Sequence, residues 1–553
     1  STLSYERMFT NRSRLNALGV FEISGSRYEH HYIIKSSFAD ESTGIHDISK
    51  GEELQAAGSG AGIANRLSYL GRLNYDIKDR YLFTTSLRMD GSDRFGPNKR
   101  YGLFPSAAFA WRLSKESFLD RPWLNDLKLR ISYGATGNSN IPEFRYMATM
   151  GNVFYDDRLG MVPTSLPNPD LKWKTTIQYN AGLDAAVFDN RLKLTVDLYA
   201  KNTNDMLFQA IVPAQSGFKT QWQNLGRVNN RGIEIALTTA NIRKKSFSWE
   251  TTLTFSLNRN EIIEIGDGLT TAPVGAGYWT TSYIKQNVVG RIMVGQPIGV
   301  MYGYALEGIY QLDDFSGWKD RTGALPDNDP GILWQNRNWV LKKGVPDASN
   351  LGRLRPGTFK FKNTDGSEDG LITEEDKTVI GNSQPLFYGG LGNNFRKGPF
   401  ELSVFINYSV GAKIFNSTRF ELEGAMPGEY FNITQDSWDN RWTPENPTNT
   451  YPAYSDENYY NALASLPNSY YVEDGSFLRL QTVSLSYTLP SKFLGKTGVN
   501  SAKFYYSGNN LYTFTNYSGL YPEIDSGNPL LQNFDTIGYP RAKTHALGVI
   551  VTF

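Results

Sequence analysis

The residues best spaced for chemistry run from Asp365 to Asp376. Oxygen-bearing side chains stand at positions 1, 3, 5, 9 and 12 of this stretch (Asp365, Ser367, Asp369, Thr373 and Asp376), with Gly370 at position 6 and Ile372 at position 8. With the Leu371 carbonyl at position 7, this is the ligand spacing of a Ca²⁺ loop. The final Asp376 stands where such loops usually carry Glu, so its shorter carboxylate suits one-oxygen ligation and modest affinity. The same residues also suit an acidic turn held by its own hydrogen bonds, and spacing alone leaves both readings open. Ca²⁺ is the one cofactor the sequence suggests; no organic cofactor has a motif. The chain has no Cys and four His, which removes thiolate chemistry and argues against a multi-histidine metal site. His30 and His31 are adjacent, so on a strand they point to opposite faces and cannot share a ligand. No nucleophile elbow or phosphate-binding glycine loop occurs in its required context, so no enzymatic reaction is expected.

A second polar set is basic: Arg66, Arg72, Arg88, Arg112, Lys128 and Arg130. These residues lie in segments with a period of two. Leu67, Tyr69, Gly71, Leu73, Tyr75 and Ile77 alternate with Arg66, Ser68, Arg72, Asn74 and Asp76. After Lys78-Asp79-Arg80 the beat resumes with Tyr81, Phe83, Thr85, Leu87 and Met89, then again with Pro105, Ala107, Phe109, Trp111 and Leu113. Such strands have one oily face and one wet face, joined by alternately short and long connections. A soluble sandwich uses strands of about five or six residues and has no need of that alternation in its turns. An outer-membrane barrel needs about ten residues per strand, an apolar face toward lipid and a polar lumen. The reading is therefore all-β, a transmembrane antiparallel β-barrel domain over residues 1–553, with outer-membrane lipid against its oily face. The six basic residues should face the lumen, where they either meet a plug or polar solute or pair with charges on neighbouring strands.

Composition agrees with this choice. The chain has 553 residues and no obvious linker, and one large closed sheet accommodates a length at which single soluble cores stop growing. The 33 Tyr, 31 Phe and 11 Trp suit the aromatic girdles of a membrane barrel. A net charge of +1 argues against a nucleic-acid partner, which would show as a basic excess. No run of 18 apolar residues exists, so a transmembrane helix is not expected. The first residues, Ser1 to Thr10, read as a strand, and any export signal is expected to have been removed or to lie upstream.

The pattern yields about sixteen or seventeen strands, below the 22 of plugged transporters. Asp40 to Gly62 reads as a Gly/Ser-rich loop, and Lys115 to Asn125 as a connection able to hold a short helix. Long external loops are expected near 266–380 and 415–475, with strands inside the first near Ile284 to Val294 and Val300 to Gln311. The second is rich in aromatic residues, among them Trp438, Trp442, Tyr451, Tyr454, Tyr459 and Tyr460. These suit packing within the loop, contact with a protein lid, or stacking on a solute. The last strand places Leu547, Val549, Val551 and Phe553 on one face, and with Gly548 it is similar to the terminal insertion signal of outer-membrane barrels.

Several segments then resemble one family. Leu87-Arg88-Met89-Asp90-Gly91-Ser92-Asp93-Arg94-Phe95-Gly96, Leu127-Lys128-Leu129-Arg130-Ile131-Ser132-Tyr133-Gly134, Asn180-Ala181-Gly182-Leu183-Asp184, Arg441-Trp442-Thr443-Pro444-Glu445-Asn446-Pro447, Val472-Glu473-Asp474-Gly475-Ser476-Phe477-Leu478-Arg479-Leu480 and Tyr517-Ser518-Gly519-Leu520-Tyr521-Pro522-Glu523 resemble the SusC/RagA-type TonB-dependent transporters of Bacteroidota. The resemblance covers most of the chain from near residue 64. It implies a 22-stranded barrel with an internal plug, a SusD-type surface lipoprotein as lid, and TonB-driven import of a bulky oligosaccharide or peptide across a Gram-negative outer membrane. The family's N-terminal extension, TonB box, plug and first strands have no counterpart here, so the match is to the C-terminal barrel portion. A structural or assembly subunit built on the same barrel, a passive porin, and a soluble carbohydrate-binding sandwich remain as alternatives.

Overall fold

Lys78 and Asp79 both adopt positive φ, 56° and 57°, and the Arg80 amide donates to the Ile77 carbonyl at 3.0 Å. The two central residues of this turn have the left-handed φ of the primed types, whose twist matches that of paired strands, and with Arg80 they make a three-residue connection. It joins β3 (Gly51–Ile77) to β4 (Tyr81–Ser92) and fixes their register, with Leu73 opposite Thr85 and Arg72 opposite Ser86. The computed structural model describes residues 1–9, 12–40, 42, 46–156, 158–218, 220–266, 268–274, 289–332, 337–423, 432–454, 463–495, 498–524, 530, 532–535 and 538–553.

The chain separates into two units. The first comprises Ser1–Asp184 and Asp197–Asn229. Its wall strands are β1 (Thr2–Met8), β2 (Ser13–Phe38), β3, β4, β5 (Tyr101–Arg112) and β6 (Leu124–Asn138), followed by the parts of β7 (Lys174–Val187) and β8 (Leu192–Asn204) that belong to it. Register carries each face across the strands: Tyr75, Phe83, Phe109 and Ile131 form one row, and Asn74, Thr84, Ala108 and Ser132 the next. On the apolar side Leu73, Leu87 and Ile131 are 48%, 50% and 58% exposed, while Ser68 and Asp90 on the polar side are 2% and 7% exposed. A soluble sandwich would show the reverse. Hydrocarbon is the solvent that suits such a face.

A small core closes one end of this unit's polar side. Phe95, Phe104, Ile141, Leu171 and Trp173 pack together. Gly102 and Gly137 make room for the Phe104 ring, since a Cβ at either would lie 2.4 or 2.0 Å from it.

The second unit comprises Ala185–Val196 and Asn230–Phe553. Its wall strands are the remaining ends of β7 and β8, then β9 (Arg227–Arg243, from Asn230 on), β10 (Phe247–Glu264), β11 (Phe387–Lys397), β12 (Phe400–Val410), β13 (Phe477–Thr488), β14 (Ser501–Thr515) and β15 (Thr544–Thr552), in that order. Here too the aromatic and aliphatic residues form one row, Phe400, Tyr487, Phe504 and Val549.

Three expectations change. Fifteen wall strands are described, fewer than the pattern suggests, because the apolar stretches between residues 266 and 380 form short pieces, such as Val300–Tyr304 paired with Lys377–Asn382. The expected strand near Ile284 falls mostly outside the described residues. The supposed loop from Asp40 to Gly62 is strand from Gly51 onward, so the Gly58 to Gly62 stretch is part of β3. The third change is Leu113, which leaves the strand alternation for a 3-10 turn at Leu113–Lys115; the Lys115 to Asn125 connection holds a short 3-10 turn at Ser117–Leu119, in line with the expected short helix.

Candidate transport surface

The polar side of the first unit carries paired charges. Arg130 on β6 places Nε 2.8 Å from Asp184 and Nη1 3.1 Å from Asp197, while Lys128 reaches Asp184 at 2.9 Å. Arg88 meets Asp90 at 2.8 Å and Glu22 at 3.7 Å and donates to Ser68. Arg112 pairs with Asp79 and with Asp126. Arg66 donates to the Ser139 hydroxyl at 3.1 Å. Arg72, exposed on the same side, has no hydrogen-bond or ion-pair partner among the described residues. Five of the six basic positions are thus occupied with the wall itself, and Arg72 presents its charge openly. The partner carboxylates were not singled out from the sequence, since 54 and 67 residues separate Arg130 from Asp184 and Asp197.

In the second unit, Arg479 on β13 is fully buried. Its Nη1 bonds Glu523 at 2.5 Å and its Nε donates to Thr513 at 2.9 Å. Its guanidinium lies over the rings of Phe477 and Tyr521. Glu523 also accepts from the Tyr521 hydroxyl at 2.7 Å and faces Arg541 at 3.4 Å. Burial alone would raise the Glu523 carboxyl, but the bonds from Arg479 and Tyr521 outweigh it and hold the group below its ordinary value. Beside this cluster is a polar recess of about 390 Å³ lined by Tyr388, Asn407, Ser409, Gln532, Asn533 and Arg541. The buried Asn407 Oδ1 has no hydrogen bond among the described residues. Two of the quoted motifs, those containing Arg479 and Glu523, therefore meet here.

The aromatic loop residues mostly hold their own loop. Trp442 is buried and donates to Gln311 at 2.8 Å; Gly357, at φ +89°, gives its ring room. The Tyr454 hydroxyl is 2.7 Å from Ser437 Oγ. Tyr451 donates to Asp436, and burial together with that carboxylate pushes the phenol up to about 12. Trp438 is 45% exposed, with the Arg441 guanidinium 3.8 Å from its ring centre. Tyr459 and Tyr460 lie outside the described residues.

The acidic stretch forms a turn closed by Asp376. This buried carboxylate accepts from the backbone amides of Thr364, Asp365 and Thr373 at 2.6, 3.2 and 2.8 Å. Asp365 accepts from the Ser367 amide, and Asp369 from the Leu371 amide and Ser367 hydroxyl. Among the described residues no three His, Cys, Asp or Glu are grouped as for a metal ion. On β15, Gly548 lies under the Tyr505 ring, which a Cβ would approach to 2.4 Å, while Val551 and Phe553 are exposed on the apolar row.

Residues 19–339 match the family described as TonB dependent receptor-like, beta-barrel. Over its full length the chain is 34% identical to TonB-dependent receptor P3 of Formosa agariphila, of which it covers 52%. Over 88% of its length it is 28% identical to TonB-dependent receptor SusC of Bacteroides thetaiotaomicron, covering 44% of that protein. Its fold matches the structure of the RagAB peptide transporter with a TM-score of 0.76 and 26% identity, over all of this chain and 55% of that one. The chain spans about half the length of the curated relatives it matches. An apolar outer row, a charge-paired inner row and these matches agree: the chain belongs to the TonB-dependent receptor-like β-barrel family.

Proposed function

We propose that this chain is the outer-membrane wall of a SusC-like importer in a Bacteroidota-type bacterium, taking up a bulky peptide or oligosaccharide. The observation that carries this reading is the pairing of faces in one register: an exposed apolar row backed by a row in which Arg88, Arg112, Lys128 and Arg130 are neutralised by carboxylates. A wall built this way tolerates water and solute on one side and lipid on the other. The named likeness to a peptide transporter, at a TM-score of 0.76, supports peptide as one of the two solute classes. In this reading a SusD-like lipoprotein covers the long-loop end, and TonB acts on a plug in the full-length protein.

The test is uptake of labelled peptide and oligosaccharide pools by cells carrying the full-length protein, with and without TonB and an energised inner membrane. Accumulation that requires both is expected. Equal flux without energy, with open-channel conductance in planar bilayers, would instead make it a porin.

A further inference from the structure

β3 has one side fully paired and the other only half paired. β2 follows it from Ile77 to Gly51, whereas β4 follows it only from Ile77 to Arg66. Beyond Arg66, Asn65 uses its amide and carbonyl toward Asp93, on the β4 side. Antiparallel strands alternate which residues point their amide and carbonyl to a given edge. Ile63, Ala61, Ser59 and Ala57 therefore point both groups to the open edge, and none of these groups has a partner among the described residues. The run ends where the β-bulge at Ile34/Lys35 breaks the register.

Native sheets usually protect such an edge with Lys, Pro or a covering segment. Residues 51–64 contain no Lys, Arg or Pro and are dominated by Gly, Ala and Ser. On the face that continues Arg66 and Ser68, the rings of Tyr28, His30 and Tyr32 lie across Gly62, Gly60 and Gly58, so close that a Cβ at these glycines would fall 2.3, 2.4 and 2.7 Å from them. The Tyr28 and His30 rings stack at 6.2 Å with an interplanar angle of 14°. The result is a flat floor of rings beside an unused backbone edge. A two-stranded ribbon is marginal in water and gains stability from a third strand.

We propose that the Ala57–Ile63 edge of β3 binds the solute itself, an extended peptide added as a strand. This rests on the import reading above and narrows its substrate class. Only a polypeptide backbone supplies amides and carbonyls at the strand repeat, and such pairing gives affinity with little demand on side-chain sequence. The arm stands at the end of the wall opposite the short Lys78-Asp79 turn, where solute would first be met. A second copy is poorly suited to the edge. Antiparallel self-pairing inverts its wall relative to the membrane, and parallel pairing brings its wall against β4, which uses the same edge immediately beyond Asn65.

The test uses the full-length protein in detergent and in vesicles. The probes are an eight-residue Thr/Val/Ala peptide, the same peptide with alternate amides N-methylated, and an oligosaccharide of similar mass. The unmethylated peptide should bind at least tenfold more tightly than the methylated one. Ser59→Pro and Ala61→Pro remove amides that face the open edge, not β2, so each should weaken peptide binding tenfold or more while heat-modifiable migration on gels stays native. Ser59→Lys, which keeps the amide, reports whether any loss follows the backbone group. Equal binding of both peptides, wild-type binding by both proline variants, or a disulfide-linked dimer through Ser59→Cys at physiological concentration would overturn the proposal. TonB-dependent uptake of oligosaccharide without peptide binding would remove this inference alone. Absence of energised uptake for every solute would remove the import reading, and edge binding would still be measurable.

Discussion

Gly182 leaves bare the strip of β7 backbone on which the Arg130 guanidinium lies; a Cβ at that position would fall 2.6 Å from Arg130 Cζ. Two residues on, Asp184 takes the same guanidinium through both carboxylate oxygens. Spacing by two puts the gap and the carboxylate on one face, which gives a physical reason for the Gly182-Leu183-Asp184 order in the family motif. Gly182→Val should lift Arg130 away from Asp184 and Asp197 at a cost of roughly 1–3 kcal/mol. Gly182→Ala should cost less, because a guanidinium at the end of a flexible chain can shift. The urea midpoint for folding into lipid vesicles reads both, and an unchanged midpoint for the valine variant would remove this account of the motif.

Leu73 and Arg72 are neighbours with opposite surroundings. Leu73 is 48% exposed on the apolar row, and Arg72 lies opposite Ser86 on the polar row. Leu73→Arg should lose about 2–4 kcal/mol if the position lies near the bilayer centre. Arg72→Leu, which breaks no pair among the described residues, should change stability far less. Comparable losses in the two variants would contradict the facing of the wall.

How much of this was legible beforehand depends on where the information sits. The β3–β4 hairpin could be read because each strand carries its own alternation and the turn is local. The part of β3 before Arg66 could not, because residues 56–62 are Gly, Ala and Ser with little contrast between faces. Their strand state depends on Tyr28, His30 and Tyr32 of the facing strand, which supply the bulk the glycines lack. The basic side of the inner row was visible for the same local reason as the hairpin. Its carboxylate partners were not, since pairing Arg130 with Asp197 requires knowing which strands are neighbours. Glu523 lay inside a quoted motif without a role until Arg479 was placed beside it.

Asp376 closes its turn by taking three backbone amides. Removing the carboxylate in Asp376→Ala strands those amides, at about 1–3 kcal/mol for each one left buried. Hydrogen exchange at Thr364, Asp365 and Thr373 should accelerate sharply, and Asp376→Asn should fall between. We further propose that Ca²⁺ binds through Asp365, Ser367 and Asp369, with a weak dissociation constant of about 10⁻⁴–10⁻³ M. Millimolar Ca²⁺ should then slow exchange across 364–373. Unchanged exchange together with no calorimetric heat would leave the turn as a hydrogen-bonded element alone.

Glu523 offers a pH test outside the membrane-spanning strands. Its carboxyl is held below the ordinary value of 4.5 because Arg479, Tyr521 and Arg541 converge on it. A group whose folded value is depressed contributes stability that is full above its unfolded value and lost as pH falls through the folded one. Protection factors for 517–523 should therefore hold steady from neutral pH to about 5 and decline below 4.5, as protonation leaves the buried Arg479 without its counter-charge. In Glu523→Gln the segment should already be loosened at neutral pH, and the decline below pH 4.5 should disappear. A decline of equal size in wild type and variant would assign the acid response to another carboxylate and detach Glu523 from the ordering of this loop.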